Sequence, residues 1–180
     1  NKLKAIQAIM ASYEDAGTTR PVDTINFQPN NINVALELIG LGPLYDLKEE
    51  LHISLFLRLY WNDNRLTYDP KIIDQDHNHS IKSNDLLIDQ LWHPDVYFPN
   101  SKEEFIHDNT VKNQVIKIDH LGNVYTSTRL TLVSRCEMNF RVFPFDGHWC
   151  RIIMRSFQFT NYEIQLNWLH HDDGNKESSS

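Results

Sequence analysis

From Leu51 to Trp61 the chain alternates without a break: Leu51, Ile53, Leu55, Leu57, Leu59 and Trp61 fall on odd positions, and His52, Ser54, Phe56, Arg58 and Tyr60 fall between them. A period of two places the two sets on opposite faces of a pleated strand, so this stretch predicts a strand with one face in a core. The other face carries Phe56, Arg58 and Tyr60 side by side, which is unusual for a solvated surface. The same period runs through Ile32, Val34, Leu36 and Leu38, and Gly40, Gly42 and Pro43 predict its end. Residues Val115–Asp119 and Val124–Arg135 predict a hairpin across Leu121-Gly122-Asn123, and Cys150–Met154 and Tyr162–Trp168 predict two more strands. Only the start of the chain has a helical period: Leu3, Ile6, Met10 and Tyr13 recur at steps of three and four, with Gly17 as a stop. The stretches 18–31 and 74–84 are polar and read as loops, and 86–98 is aromatic with Pro94 and Pro99 as punctuation.

Short strands with regular turn signals behind one leading helix predict an all-β chain, an immunoglobulin-like β-sandwich with a short N-terminal α-helix. The expected domain covers residues 1–170, and the polar stretch 171–180 is expected to be a disordered tail. With 180 residues, 41% of them hydrophobic, the chain can bury a real core. A net charge of −7 counts against a nucleic-acid surface. No apolar run approaches the roughly 18 residues of a membrane-spanning helix. Asn78-His79-Ser80 is an acceptor sequence for glycosylation at Asn78, and with the cysteine pair it points to a secreted or surface-exposed domain.

The nine histidines raise a metal or hydrolytic enzyme as a competing class. However, His77 and His79, and His170-His171 beside Asp172-Asp173, fall in polar loop segments and not on one face of an element. They define no ligand cage. No Ser or Cys stands in a nucleophile context, so no enzyme, metal or cofactor is expected.

Cys136 and Cys150 are the only cysteines. A disulfide between them would close a ring of fifteen residues, which by chain entropy is worth roughly 3 kcal/mol. A bridge so local pins a loop, whereas an immunoglobulin bridge joins two sheets. The ring contains Phe143-Pro144-Phe145-Asp146, apolar where a surface loop is normally polar. Pro144 is a candidate for a cis peptide, and a rigid loop presenting two Phe side chains is a docking element. A stability staple is the plainer alternative.

Two cysteines thirteen residues apart with Phe-Pro-Phe-Asp between them resemble the signature of the Cys-loop pentameric ligand-gated ion channels. Three further segments agree, in order, across about residues 32–168. Leu55-Phe56-Leu57-Arg58 followed by Trp61-Asn62-Asp63-Asn64-Arg65-Leu66 resembles the second strand of glycine and type A GABA receptors. Trp92-His93-Pro94-Asp95 resembles the family's Trp-x-Pro-Asp segment, and Gly122-Asn123-Val124 through Arg129-Leu130-Thr131-Leu132 resembles the strand that enters the Cys-loop.

The resemblance implies an extracellular domain at the cell membrane, assembled as a homo- or hetero-pentamer of like subunits. A small-molecule agonist, by default an amine or amino acid, would bind between neighbours. Phe56 and Arg58, with Ser127 and Lys117, match the complementary face. Arg58 would grip a carboxylate and Phe56 would cover an ammonium or apolar part; an Arg58 stacked on Tyr60 at a plain subunit contact is the alternative. Tyr97 and Phe157, with Phe159 as alternate, match the principal face. Phe143, Pro144, Phe145 and Asp146 would couple binding to a transmembrane domain that these residues do not include. Arg155 stands where glycine and GABA receptors commonly carry an acid that holds the ligand amine. The family domain also continues past Trp168 through a closing hairpin, so the last strands are expected to be missing here. A secreted soluble pentamer resembling acetylcholine-binding protein is the second reading; an immunoglobulin-like adhesion domain fits the cysteine spacing poorly.

Overall fold

The computed structural model describes residues 6, 9, 13, 19–22, 28–45, 48–72, 80–83, 90–108 and 111–169. Its strands are β1 (Asn30–Tyr45), β2 (Glu50–Asn62), β3 (Ser80–Ser83), β4 (Val96–Tyr97), β5 (Ser101–Ile106), β6 (Gln114–Asp119), β7 (Asn123–Arg135), β8 (Arg155–Ser156) and β9 (Ile164–Trp168). The main sheet has seven strands in the order β3-β6-β7-β2-β1-β9, with β5 also on β7; β4 and β8 form a separate ribbon. β1 and β9 run parallel, whereas β2 pairs antiparallel with both β1 and β7.

The alternation of β2 decides the layering. Ile53, Leu55, Leu57, Leu59 and Trp61 are buried, and the residues between them are half-buried. Onto that buried face pack Leu91, Trp92, Val96 and Phe98, then Ile152, Met154 and Phe159. Trp61 and Trp92 meet edge to face across the two layers, with ring centroids 6.1 Å apart. The chain is therefore an all-β sandwich of immunoglobulin-like type. Each fully buried Leu or Ile stabilises it by about 1.5–3 kcal/mol.

Ile6, Ile9 and Tyr13 have helical backbone, and Ile9 and Tyr13 are buried in the same core. Leu3, Met10 and Gly17, which complete the predicted helix, lie outside the described residues, as do Asn78, the His77–His79 and His170–Asp173 groups and the stretch 171–180. At the turn joining β6 to β7, Gly122 has φ +79°. A side chain there would stand 2.4 Å from the Asp63 carbonyl oxygen, so only glycine fits.

The structure corrects the predicted strand ends. β1 does not stop at Gly40 but continues to Tyr45 through register shifts at Leu38/Gly40 and Leu41/Leu44. Bulges absorb what glycine and proline would otherwise interrupt. Residues 150–154 form no ladder, and the paired strand in that region is the short β8. Even so, the segment keeps a period of two: Ile152 and Met154 pack on the core while Arg151, Ile153 and Arg155 are exposed. β9 starts at Ile164 because a turn occupies 161–163. Ser80–Ser83, read as loop, pair with β6.

Candidate functional site

The outer face of the main sheet brings together the residues matched to the complementary face. Register sets Arg58 opposite Ser127, Phe56 opposite Arg129 and Tyr60 opposite Tyr125. β6 adds Lys117 opposite Tyr125. Arg58 lies over the Phe56 ring, its guanidinium carbon 6.0 Å from the centroid. It does not stack on Tyr60; its Nη2 donates to the Glu37 carboxylate, which reaches across from β1. The Lys117 ammonium sits 5.1 Å from the Tyr125 centroid, so it is engaged where plain solvation was the other expectation. Tyr60 and Tyr125 stack at 4.8 Å. Burial pushes the Tyr60 hydroxyl pKa up, Tyr125 adds to the shift and Arg58 opposes it. A cavity of about 510 Å³ opens beside this pair, with Asn33 and Lys117 in its wall.

Two buried nitrogen atoms on this face lack partners. The Nε atoms of Arg58 and Arg129 have no hydrogen-bond acceptor among the described residues. A buried donor without an acceptor costs about 1–3 kcal/mol.

The principal-face residues assemble on the ribbon. Antiparallel pairing sets Tyr97 opposite Arg155, and Phe157 closes on Tyr97 edge to face. Phe157 is 74% exposed, so its ring is free to meet something outside the chain. The turn holding it is organised by Asp95. One carboxylate oxygen accepts from Ser156 Oγ at 2.5 Å, the other from the Gln158 N–H at 2.6 Å, and the Asp95 carbonyl accepts from the Phe157 N–H at 3.1 Å. Phe159 is not part of this group. It is half-buried on the core, 6.4 Å from Trp92, with the Arg20 guanidinium 5.9 Å from its ring.

Cys136 and Cys150 form the disulfide. Within the ring they close, Phe143-Pro144 is cis, and Phe143 and Phe145 are 71% and 90% exposed. Asp146 is turned inward. His148 Nδ1 accepts from the Asn139 N–H at 3.3 Å, which leaves Nε2 carrying a proton to donate to Asp146 at 2.6 Å. Asn100 holds the exit of the loop, donating to Arg151 O at 2.5 Å and Ser134 Oγ at 3.0 Å and accepting from the Ile153 N–H at 3.0 Å.

Arg129, Glu37, Asp95 and Asn100 were not among the predicted site residues. Alternation could have found Arg129, which is two residues from Ser127 and shares its face. Glu37 depended on the register between β1 and β2, which no local pattern states.

The family described as the neurotransmitter-gated ion-channel ligand binding domain matches residues 3–180. The chain belongs to that family, one of receptors and not of enzymes. It is 30% identical to the gamma-aminobutyric acid receptor subunit rho-2 of Mus musculus over 145 residues, 81% of this chain and 30% of the relative. It is equally identical to subunit rho-3 of Rattus norvegicus over 148 residues, 82% of this chain and 30% of that one. Subunit rho-1 of Homo sapiens is 30% identical over 81% of this chain and 29% of its own length. The chain thus spans less than a third of the length of these relatives. No helix among the described residues is long and apolar enough to cross a membrane.

Proposed function

We propose that this chain is the extracellular agonist-binding domain of a pentameric ligand-gated ion channel at the cell membrane. A small-molecule agonist binds between like subunits, and the Cys136–Cys150 loop passes the event to a transmembrane domain. One observation carries this reading. Phe56, Arg58, Ser127 and Arg129 lie on the outer face of the main sheet, while Tyr97 and Phe157 lie on the ribbon, in the layer packed against that sheet's other face. A ligand cannot touch both sets in one chain. A neighbouring copy brings the ribbon of one subunit to the sheet of the next, as cyclic assemblies do.

The disulfide-held Phe143 and Phe145 favour the channel over the secreted pentamer, because exposed rings on a constrained loop fit a docking contact. The test uses the full-length subunit. Channels carrying Arg58→Ala alone or Phe157→Ala alone should respond weakly. Coexpressing the two variants should restore part of the response, since some interfaces then pair an intact ribbon with an intact sheet. Failure of the mixture to exceed either parent, at equal surface expression, would refute an intersubunit site.

A further inference from the structure

We propose that the ligand is a small organic anion, a carboxylate or dicarboxylate with no ammonium group, and not a zwitterionic amino acid. This rests on the interface reading above, and it follows from where the charges of this chain stand. Among the described residues the basic groups on the two faces include Arg58, Lys117, Arg129 and, opposite Lys117, Lys82 on the sheet, and Arg155 on the ribbon. The acids nearest these groups among the described residues are engaged; Glu103 lies farther along the same face, on β5 opposite Val133. Glu37 is paired with Arg58. Both carboxylate oxygens of Asp95 are bonded within the Phe157 turn. Both oxygens of Asp119 hold the β6–β7 turn through Leu121 and Asn123.

The aromatic rings are partly engaged as well. An ammonium ligand would need an open ring face, yet Arg58 covers Phe56 and Lys117 covers Tyr125. Tyr60 is packed against Tyr125, and Phe105 lies farther along the sheet, opposite Thr131. The Tyr97–Phe157 pair on the ribbon has Arg155 directly opposite Tyr97 in register. An ammonium there meets a like charge; a carboxylate meets an attractive one. On the other side, Arg129 stands opposite Phe56 on the same face, and Arg58 already holds a carboxylate, that of Glu37. Glu37 occupies the place a ligand carboxylate would take, so binding exchanges one acid for another. A dicarboxylate suits the layout best, with one end on Arg58 and Arg129 and the other toward Arg155 of the neighbouring ribbon.

The experiment compares butanoate and succinate with γ-aminobutyrate and glycine on the full-length homomeric channel, with surface expression measured for every variant. Succinate or butanoate should open the channel at concentrations at least about tenfold below either zwitterion. Charge-assisted hydrogen bonds imply that Arg129→Gln and Arg155→Gln raise the half-effective anion concentration about tenfold or more. Glu37→Gln should lower it severalfold, because the competing carboxylate is gone, and Arg155→Glu should shift the preference toward γ-aminobutyrate. Zwitterions acting at lower concentration than the anions, with the response lost in Phe157→Ala, would overturn the ligand class and leave the site standing. Responses untouched by both Arg58→Ala and Phe157→Ala would overturn the site itself. Silence toward both anions in a channel that reaches the surface also overturns the proposal.

Discussion

Tyr97 and Phe157 meet edge to face, ring centroids 5.6 Å apart and planes inclined by 85°. The contact joins β4 to the turn after β8, so each ring fixes the orientation of the other. Such pairs are worth about 0.5–1.5 kcal/mol beyond their buried area. Tyr97→Leu and Phe157→Leu should each weaken agonist potency in the full-length channel. The double variant should lose less than the product of the two, by a coupling of about that size. Tyr97→Phe, which keeps the ring, should preserve the coupling. Strictly additive losses would mean that the two rings act separately.

Asn100 joins the strand entering the disulfide loop to the segment leaving it, through Ser134, Arg151 and Ile153. Asn100→Ala removes two donors and one acceptor from a half-buried spot and should cost about 1–3 kcal/mol in urea unfolding. Asn100→Asp keeps the acceptor for the Ile153 N–H and should fall between. Amide exchange at Ile153 should speed up in the alanine variant alone. If both substitutions release that amide equally, the acceptor is not what holds it.

Phe145 is 90% exposed and Phe143 71%, so neither ring contributes much to the packing of this chain. Phe145→Ser should leave unfolding stability within about 0.5 kcal/mol, as surface changes do. In the full-length channel it should reduce agonist-evoked current while ligand binding persists. A stability loss comparable to a core substitution would place the ring inside the sandwich. Unchanged current would remove the loop from the coupling path.

Much of this was legible in the sequence because the informative segments are strands with a strict period. Leu51–Trp61 fixed its own facing by alternation, and that alone set Phe56, Arg58 and Tyr60 on the outer face. Tyr97 and Phe157 came only through resemblance, since their pairing depends on a short ribbon too brief to show a period. Glycine and proline misled at residues 40–43, because a bulged strand can absorb them when its neighbour supplies the ladder. The Glu37–Arg58 pair depends on inter-strand register, a tertiary fact that no window of the chain encodes.

Asp63 is fully buried and binds Arg65 through both oxygens, at 2.8 Å to Nε and 2.7 Å to Nη2. Tyr13 completes the cluster, accepting from Arg65 Nη2 at 2.9 Å and from the Trp92 N–H at 3.1 Å. The network ties the N-terminal helical residues to both layers of the sandwich. Removing one member of a buried ion pair costs about 3–5 kcal/mol. Because the Arg65 side chain keeps 25% of its exposure, Asp63→Asn should fall at the low end. Tyr13→Phe should cost less, leaving the ion pair but orphaning the Trp92 N–H. Chemical denaturation of the three proteins gives the order. If Asp63→Asn left the protein as stable as the parent, shape and not charge would hold the cluster.

Tyr68 sets an alkaline limit on the fold. Its hydroxyl donates to the Ile118 carbonyl at 3.3 Å. Burial, with the Asp119 charge adding, pushes its pKa from 10.0 up to about 12. The folded chain then holds this proton where the unfolded chain has lost it. Stability from this group is complete below pH 10.0, falls through the interval above it, and is gone once pH exceeds about 12. Tyr13 and Tyr60 are also raised by burial and add to the same limb. Tyr68→Phe should cost about 1 kcal/mol at neutral pH for the lost hydrogen bond. It should also flatten the fall in stability above pH 10, because phenylalanine has no proton to lose. Urea midpoints measured at intervals from pH 8 to pH 12 would show it. An unchanged slope in the variant would mean that the Tyr68 hydroxyl ionises as readily folded as unfolded.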